Sequence, residues 1–181
     1  MATRSGLTLD QFLEMRETKP ASEYACGEAF QKPMPNWDHS TVQTFLATVL
    51  FTFLAETKIG RVVTEFRCIF GPPGRERTYV PDLSYVARAR LPSERSFAER
   101  HLHAAPDLAI EILSPDQHMA HFLDKIQFYL LYGVRLVWVI DPATETIAVQ
   151  APGEEAYVLR SGDVLPGFSV PVDDIFAQTR I

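Results

Sequence analysis

The chain predicts a mixed β-sheet with helices packed on it, in the α+β (α/β-like) style, and three observations carry that prediction. The first is Leu108 to Leu113, a six-residue apolar run bounded by Pro106-Asp107 and Ser114-Pro115. Its length and its flanking prolines suit a central strand covered on both faces. The second is a pair of apolar stripes at helical spacing, one after Asp38 and one after Ser114. The third is their order along the chain: helix, strand, helix, strands, helix, strands, which layers helices onto a sheet.

Taken from the N-terminus, Thr8-Leu9-Asp10-Gln11 has the form of a capping box and opens a short helix with Phe12, Leu13 and Met15. Residues 23–34 predict a strand or hairpin around Gly27-Glu28, ended by Pro33 and Pro35. A long helix starts near Asp38 or Ser40. Its core stripe is Val42, Phe45, Leu46, Val49, Leu50, Phe53 and Leu54, with Thr41, Thr44, Thr48 and Thr52 on the other side. Arg61 to Phe70 alternates loosely and predicts one strand. Gly71-Pro72-Pro73-Gly74 is a turn, and Thr78 onward returns as a second strand. A polar linker with Pro92, His101 and His103 leads to the central strand.

After that strand, Ser114-Pro115-Asp116-Gln117 predicts a helix start, with Ser114 as cap, Pro115 at the first position and Gln117 closing a capping box. Met119, Phe122, Leu123, Ile126 and Leu130 form its buried stripe, and Gly133 ends it. Leu136 to Ile140 is a further buried strand closed by Asp141-Pro142, with Ile147 to Gln150 as its hairpin partner. Short β pieces follow at Tyr157–Leu159 and around Phe168 to Val172.

With 181 residues, the expectation is one domain spanning 1–181. Hydrophobic residues at 46% and charged residues at 22% are globular proportions, which excludes intrinsic disorder. Cys26 and Cys68 form no C-x-x-C pair, which argues against a zinc ribbon and fits a reducing compartment. The N-terminus lacks a basic-then-apolar leader, and the uncharged run Ser40 to Ala55 falls short of the ~20 residues of a membrane span. A cytoplasmic protein with no membrane partner is expected. Net charge is −6, yet it is uneven. Lys58 to Arg100 holds nine Lys/Arg against five Asp/Glu, while the remainder holds eight against eighteen. A basic stretch can contact phosphates despite an acidic total, although a solvated surface with arginines is the commoner explanation.

Within the central strand Glu111 is a misfit, because an ionised carboxylate among apolar residues costs several kcal/mol unless it is paired or binds a metal. Asp82 follows Pro81 at the head of the strand Leu83 to Val86, and Lys125 stands in the middle of the following helix. Two carboxylates on adjacent strands can hold a hard cation, Mg²⁺ (or Mn²⁺), through oxygen. Such a cation acidifies a bound water and stabilises charge on a phosphate oxygen, and a nearby lysine can orient that water. Asp107 shares strand phase with Glu111 and is a secondary candidate.

These residues carry a resemblance. Val80-Pro81-Asp82-Leu83, Pro106 to Pro115 with Glu111 at its centre, Asp124-Lys125 with Tyr129, and Gly133-Val134 through Trp138 to Asp141-Pro142 are similar to the PD-(D/E)XK nuclease superfamily. Within it, the chain resembles a bacterial family of restriction-endonuclease-like proteins of largely unknown role. Leu7 to Leu13, Tyr24 with Gly27-Glu28, and Leu165-Pro166-Gly167-Phe168 extend the likeness over nearly the whole chain. The resemblance implies a restriction-endonuclease-like mixed central sheet flanked by helices. It implies Asp82 and Glu111 as metal ligands and Lys125 as the catalytic lysine, because Leu113 occupies the superfamily's usual lysine position two places after Glu111. Glu28, His39 and Glu65 stand where members place polar residues near the site, and Gln127 matches a helix glutamine of some superfamily members. His121 stands where an aspartate is frequent, and a solvated helix face is expected for it and for His118.

The implied function is a Mg²⁺-dependent endonuclease hydrolysing nucleic-acid phosphodiester bonds, with DNA the expected partner. A homodimer is compatible with it, since two sites can cut two strands. The rival is a nuclease-fold nucleic-acid-binding or scaffold protein with little or no catalysis, which the altered turn at 117–121 and the acidic balance favour. A third, weaker reading is a metal hydrolase acting on a small phosphate ester.

Overall fold

The computed structural model describes residues 6–91, 100–165 and 170–180. In chain order its helices are α1 (Leu9–Glu14), α2 (Trp37–Thr57), α3 (Met119–Leu131) and α4 (Val172–Phe176). Its strands are β1 (Ser22–Ala25), β2 (Glu28–Gln31), β3 (Gly60–Thr64), β4 (Arg67–Phe70), β5 (Arg77–Tyr79), β6 (Leu83–Ala87), β7 (His101–Leu102), β8 (Leu108–Ile112), β9 (Leu136–Asp141), β10 (Thr146–Gln150) and β11 (Tyr157–Leu159). They form two mixed sheets, one of six strands in the order β11-β10-β9-β8-β6-β3 and one of five in the order β2-β1-β5-β4-β7. The α+β class of mixed sheet flanked by helices is the one observed, with two sheets where the sequence suggested one.

Strand β8 is central in the larger sheet, antiparallel to β6 and parallel to β9, and all five of its residues are buried. Strand alternation divides it. Leu108, Ile110 and Ile112 pack with Val42, Leu46 and Leu50 of α2 and with Ile175 and Phe176 of α4. Ala109 points to the other core, where Phe122, Ile126 and Tyr129 of α3 meet Cys68, Phe70 and Tyr79 of the smaller sheet. Glu111 shares that second face, so the misfit carboxylate looks toward α3 and not toward α2.

Several boundaries differ from expectation. Arg61 to Phe70 is two strands in different sheets, because Glu65 adopts a left-handed φ of 48° and turns the chain between them. Helix α2 starts at Trp37, since the Asn36 side chain accepts the His39 N–H at 2.9 Å and caps it. Helix α3 starts at Met119 and not after Ser114. Residues 114–117 close a turn instead, with the Gln117 N–H donating to the Ser114 carbonyl at 3.1 Å, and His118 provides no side-chain cap. Val172 opens α4 where a strand was expected, with Ile175 and Phe176 buried beneath it. Residues 166–168 of the Leu165-to-Phe168 likeness, and Pro92 of the linker, lie outside the described residues. The Thr8–Gln11 capping box is formed, and a Cys26-Gly27 turn with φ of 53° and 83° closes the β1–β2 hairpin. No helix among the described residues is long and apolar enough to cross a membrane.

Candidate active site

Leu83 pairs with Ile110, and continuing that antiparallel register by one residue sets Asp82 opposite Glu111. Directly opposed side chains share a sheet face with Cβ atoms about 5 Å apart. Both carboxylates are buried and line one cavity of about 580 Å³, together with Glu23, Lys32, His39 and Lys125. The elements that deliver them are the β1–β2 hairpin, the first turn of α2, the β6 and β8 strands and the middle of α3.

Lys125 is held twice. Its Nζ lies 2.8 Å from Glu111 Oε1 and donates to Glu23 Oε1 at 2.7 Å, and all three side chains are almost fully buried. Tyr129, one helical turn further along α3, donates its hydroxyl to Glu111 Oε1 at 2.7 Å. The Val80 N–H donates to Glu23 Oε1 at 2.9 Å and fixes that carboxylate from the backbone. On the other side of the cavity Lys32 Nζ donates to Asp82 Oδ1 at 2.6 Å and to the Val80 carbonyl at 2.8 Å. Asp82 Oδ2 accepts the Ile112 N–H at 2.7 Å, with His39 Nε2 3.4 Å away.

The environment drives the two carboxyls in opposite directions. For Asp82 burial alone would raise the pKa, but Lys32 and His39 outweigh it and hold the group below the usual carboxylate range. For Glu111 burial wins: Lys125 and Lys32 offset it only in part, Asp82 and Glu23 add to it, and the carboxyl is raised. Lys125 is itself raised, because Glu111 and Glu23 overcome the cost of burying its charge. Its ammonium charge is thereby retained in the buried site. Burial, with Glu111 and Glu23 beside it, pushes the Tyr129 phenol up, so it stays a donor.

A hard divalent cation suits this donor set. Asp82 and Glu111 offer carboxylate oxygens from one sheet face into the same cavity, which three buried carboxylates line. Among the described residues no group of three His, Cys, Asp or Glu side chains is arranged to hold a metal, and the candidate donors are the pair Asp82 and Glu111. Mg²⁺ binds in that manner, through one or two carboxylates with several waters retained.

Asp82, Glu111, Lys125 and His39 thus come together, and Glu65 stands exposed at the cavity rim. Three candidates do not join them. Glu28 opens β2 with an exposed side chain outside the cavity. Asp107 lies four residues before Glu111, roughly 13 Å away along the strand at ~3.3 Å per residue. There it accepts the Ala87 N–H at 2.8 Å and pairs with Arg90 at 2.7 Å, a structural tie between β6 and β8. Gln127 is exposed on α3 and borders a different surface depression, beside Asp124 and Arg77. His121 also departs from expectation. It is not on a solvated face: it stacks on Phe30 at 4.0 Å between ring centroids, inside the cavity wall. Glu23 and Lys32 were not foreseen. The only trace of Glu23 is a carboxylate beside Tyr24-Ala25 in a short strand, and Lys32 shows none.

A family model described as Uma2, putative restriction endonuclease, matches residues 9–175. The chain is similar to a crystal structure described as a putative nuclease belonging to DUF820 from Anabaena variabilis ATCC 29413. Sequence identity is 35%, with 94% of this chain and 98% of that chain covered and a TM-score of 0.86. None of the curated proteins matches it.

Proposed function

The chain belongs to the Uma2 family of restriction-endonuclease-like proteins, and from that premise we propose that it is a divalent-metal-dependent nuclease cleaving nucleic-acid phosphodiester bonds. The observation that carries the reading is the opposition of Asp82 and Glu111 across one cavity with Lys125 pinned between Glu111 and Glu23. Asp82 and Glu111 would hold Mg²⁺ or Mn²⁺. When bound, the cation would lower the pKa of a water and offset charge on the scissile phosphate.

The chain's own groups do the rest. Asp82 is kept ionised by Lys32 and His39, ready to bind a cation without losing a proton first. Lys125, locked by two carboxylates, presents a fixed positive charge to a phosphoryl oxygen or to the attacking water; such preorganised charge favours the transition state over the ground state. Tyr129 and the Val80 N–H hold Glu111 and Glu23 in place, so the lysine cannot swing away.

The test is cleavage of single-stranded DNA, duplex DNA and RNA by the purified chain. Cleavage is expected with Mg²⁺ or Mn²⁺ and none with EDTA. Ca²⁺, larger and less demanding in geometry, should bind without supporting turnover. The acidic total charge and His121 at a frequent aspartate position favour a second reading, a nucleic-acid-binding module of this fold. That reading prevails if no substrate is cut while binding persists unchanged in a variant lacking Asp82, Glu111 and Lys125.

A further inference from the structure

The face of α2 turned away from the cavity is unlike a solvated helix surface. Between Ser40 and Ala55 the helix carries no charged residue. His39, Val42, Leu46, Leu50 and Leu54 are buried, while on the opposite side Trp37 is 80% and Phe51 66% exposed. Trp37, Thr41, Thr44, Thr48, Phe51 and Ala55 recur at alternating steps of four and three, the spacing of a coiled-coil seam. Two of its threonines have their hydroxyl donors satisfied within the helix. Thr44 and Thr48 donate their hydroxyls to the carbonyls of Ser40 and Thr44 at 2.8 and 2.9 Å, which leaves methyl groups to face outward. An exposed helix face with no charge and two large aromatic side chains suits a covered setting better than a solvated one.

We infer that this face is the interface of a symmetric homodimer, in which α2 of a second copy packs antiparallel with the two-fold axis at Thr44. The same patch carries both halves of the contact. Trp37 is a knob seven residues before Thr44, and Phe51, seven residues after it, borders a groove of about 570 Å³. Ala47 and Thr52 of α2 and Val62, Val63 and Phe66 at the edge of the larger sheet complete that groove. An antiparallel pairing about Thr44 brings each Trp37 to the partner's groove, which is the self-complementarity a two-fold interface requires. With α2 about 30 Å long and the groove widening the strip to about 20 Å, each copy covers roughly 600 Å², near the ~800 Å² per partner of stable complexes. The uncharged seam has nothing to offer a phosphate backbone or a charged protein face. The inference does not rest on nuclease activity, since the seam and the cavity lie on opposite sides of α2.

Sedimentation equilibrium of the full chain at micromolar concentration tests it. The wild type is expected to be a dimer. Thr44→Glu, at an exposed position, sets two like charges across the axis and should give a folded monomer by circular dichroism, as should Thr44→Lys. Mixing the two variants should restore a dimer, because residue 44 faces itself. Trp37→Ala should weaken dimerisation at least tenfold. A monomeric wild type, a Thr44→Glu protein that still dimerises, or no recovery on mixing would each overturn the inference.

Discussion

In the proposed nuclease, Glu23 would act through another residue. Its carboxylate takes one of the two bonds that fix Lys125, and the Val80 N–H fixes Glu23 in turn. Glu23→Gln keeps the shape and removes the charge, and a charge-assisted hydrogen bond is worth about 1.5–3 kcal/mol. Cleavage should therefore fall by about 10- to 100-fold while Mn²⁺ still binds, because Glu23 reaches Glu111 only through its charge and through Lys125. Single-turnover kinetics with calorimetric metal titration checks this, and a parallel loss of Mn²⁺ binding would make Glu23 a ligand instead. Asp82 gives a pH prediction. Its folded pKa is depressed, so its contribution to stability is fully present above the unfolded carboxylate value of ~3.9 and is lost as pH falls through the lower folded value. Denaturant melts in metal-free buffer should show the gap between wild type and Asp82→Asn shrinking as the pH is lowered through the acid range. A gap that stays constant would mean that Asp82 is not held ionised by Lys32 and His39.

At the scale of elements, the cap at Asn36 decides where α2 begins and hence where His39 sits. Asn36→Ala removes the bond to the His39 N–H and should cost about 1 kcal/mol. Equilibrium denaturation checks the value, and a neutral substitution would return the helix start to Asp38 or Ser40. What the chain discloses locally is what local physics controls. The apolar periodicity of α2 and α3, the β8 run and the Thr8 capping box all depend on residues a few places apart, and all are formed. The rest depends on partners far along the chain. Glu23 acquires its role only because Tyr24 pairs with Thr78, which sets the hairpin over α3. Ser114-Pro115-Asp116-Gln117 satisfies every local rule for a helix start, yet the segment folds as a turn beside the cavity, and α3 then presents Lys125 over Glu111. Asp107 shares the strand phase of Glu111, but phase says nothing about distance along the strand.

At the scale of the whole molecule, two sheets and two helices, α2 and α3, converge on one buried cluster, so the account stands or falls on what that cluster does. The larger sheet supplies Asp82 and Glu111, the smaller supplies Glu23, and α3 brings Lys125 across the gap between them. Lys32, just after β2, and Lys125 of α3 supply the positive charge that lets the three carboxylates lie together. Binding of Mg²⁺ at that cluster should raise the melting temperature of the wild type and leave Glu111→Gln unmoved, because a ligand stabilises only the state that binds it. The most direct measurement is single-turnover cleavage of the preferred nucleic acid in Mg²⁺ by the wild type and three single variants. Asp82→Ala and Glu111→Ala should abolish it, and Lys125→Ala should lower it by about 10²–10³-fold while leaving Mg²⁺ binding in place. Cleavage that survives in Asp82→Ala or Glu111→Ala at the wild-type rate would contradict the assignment of this cluster as the active site.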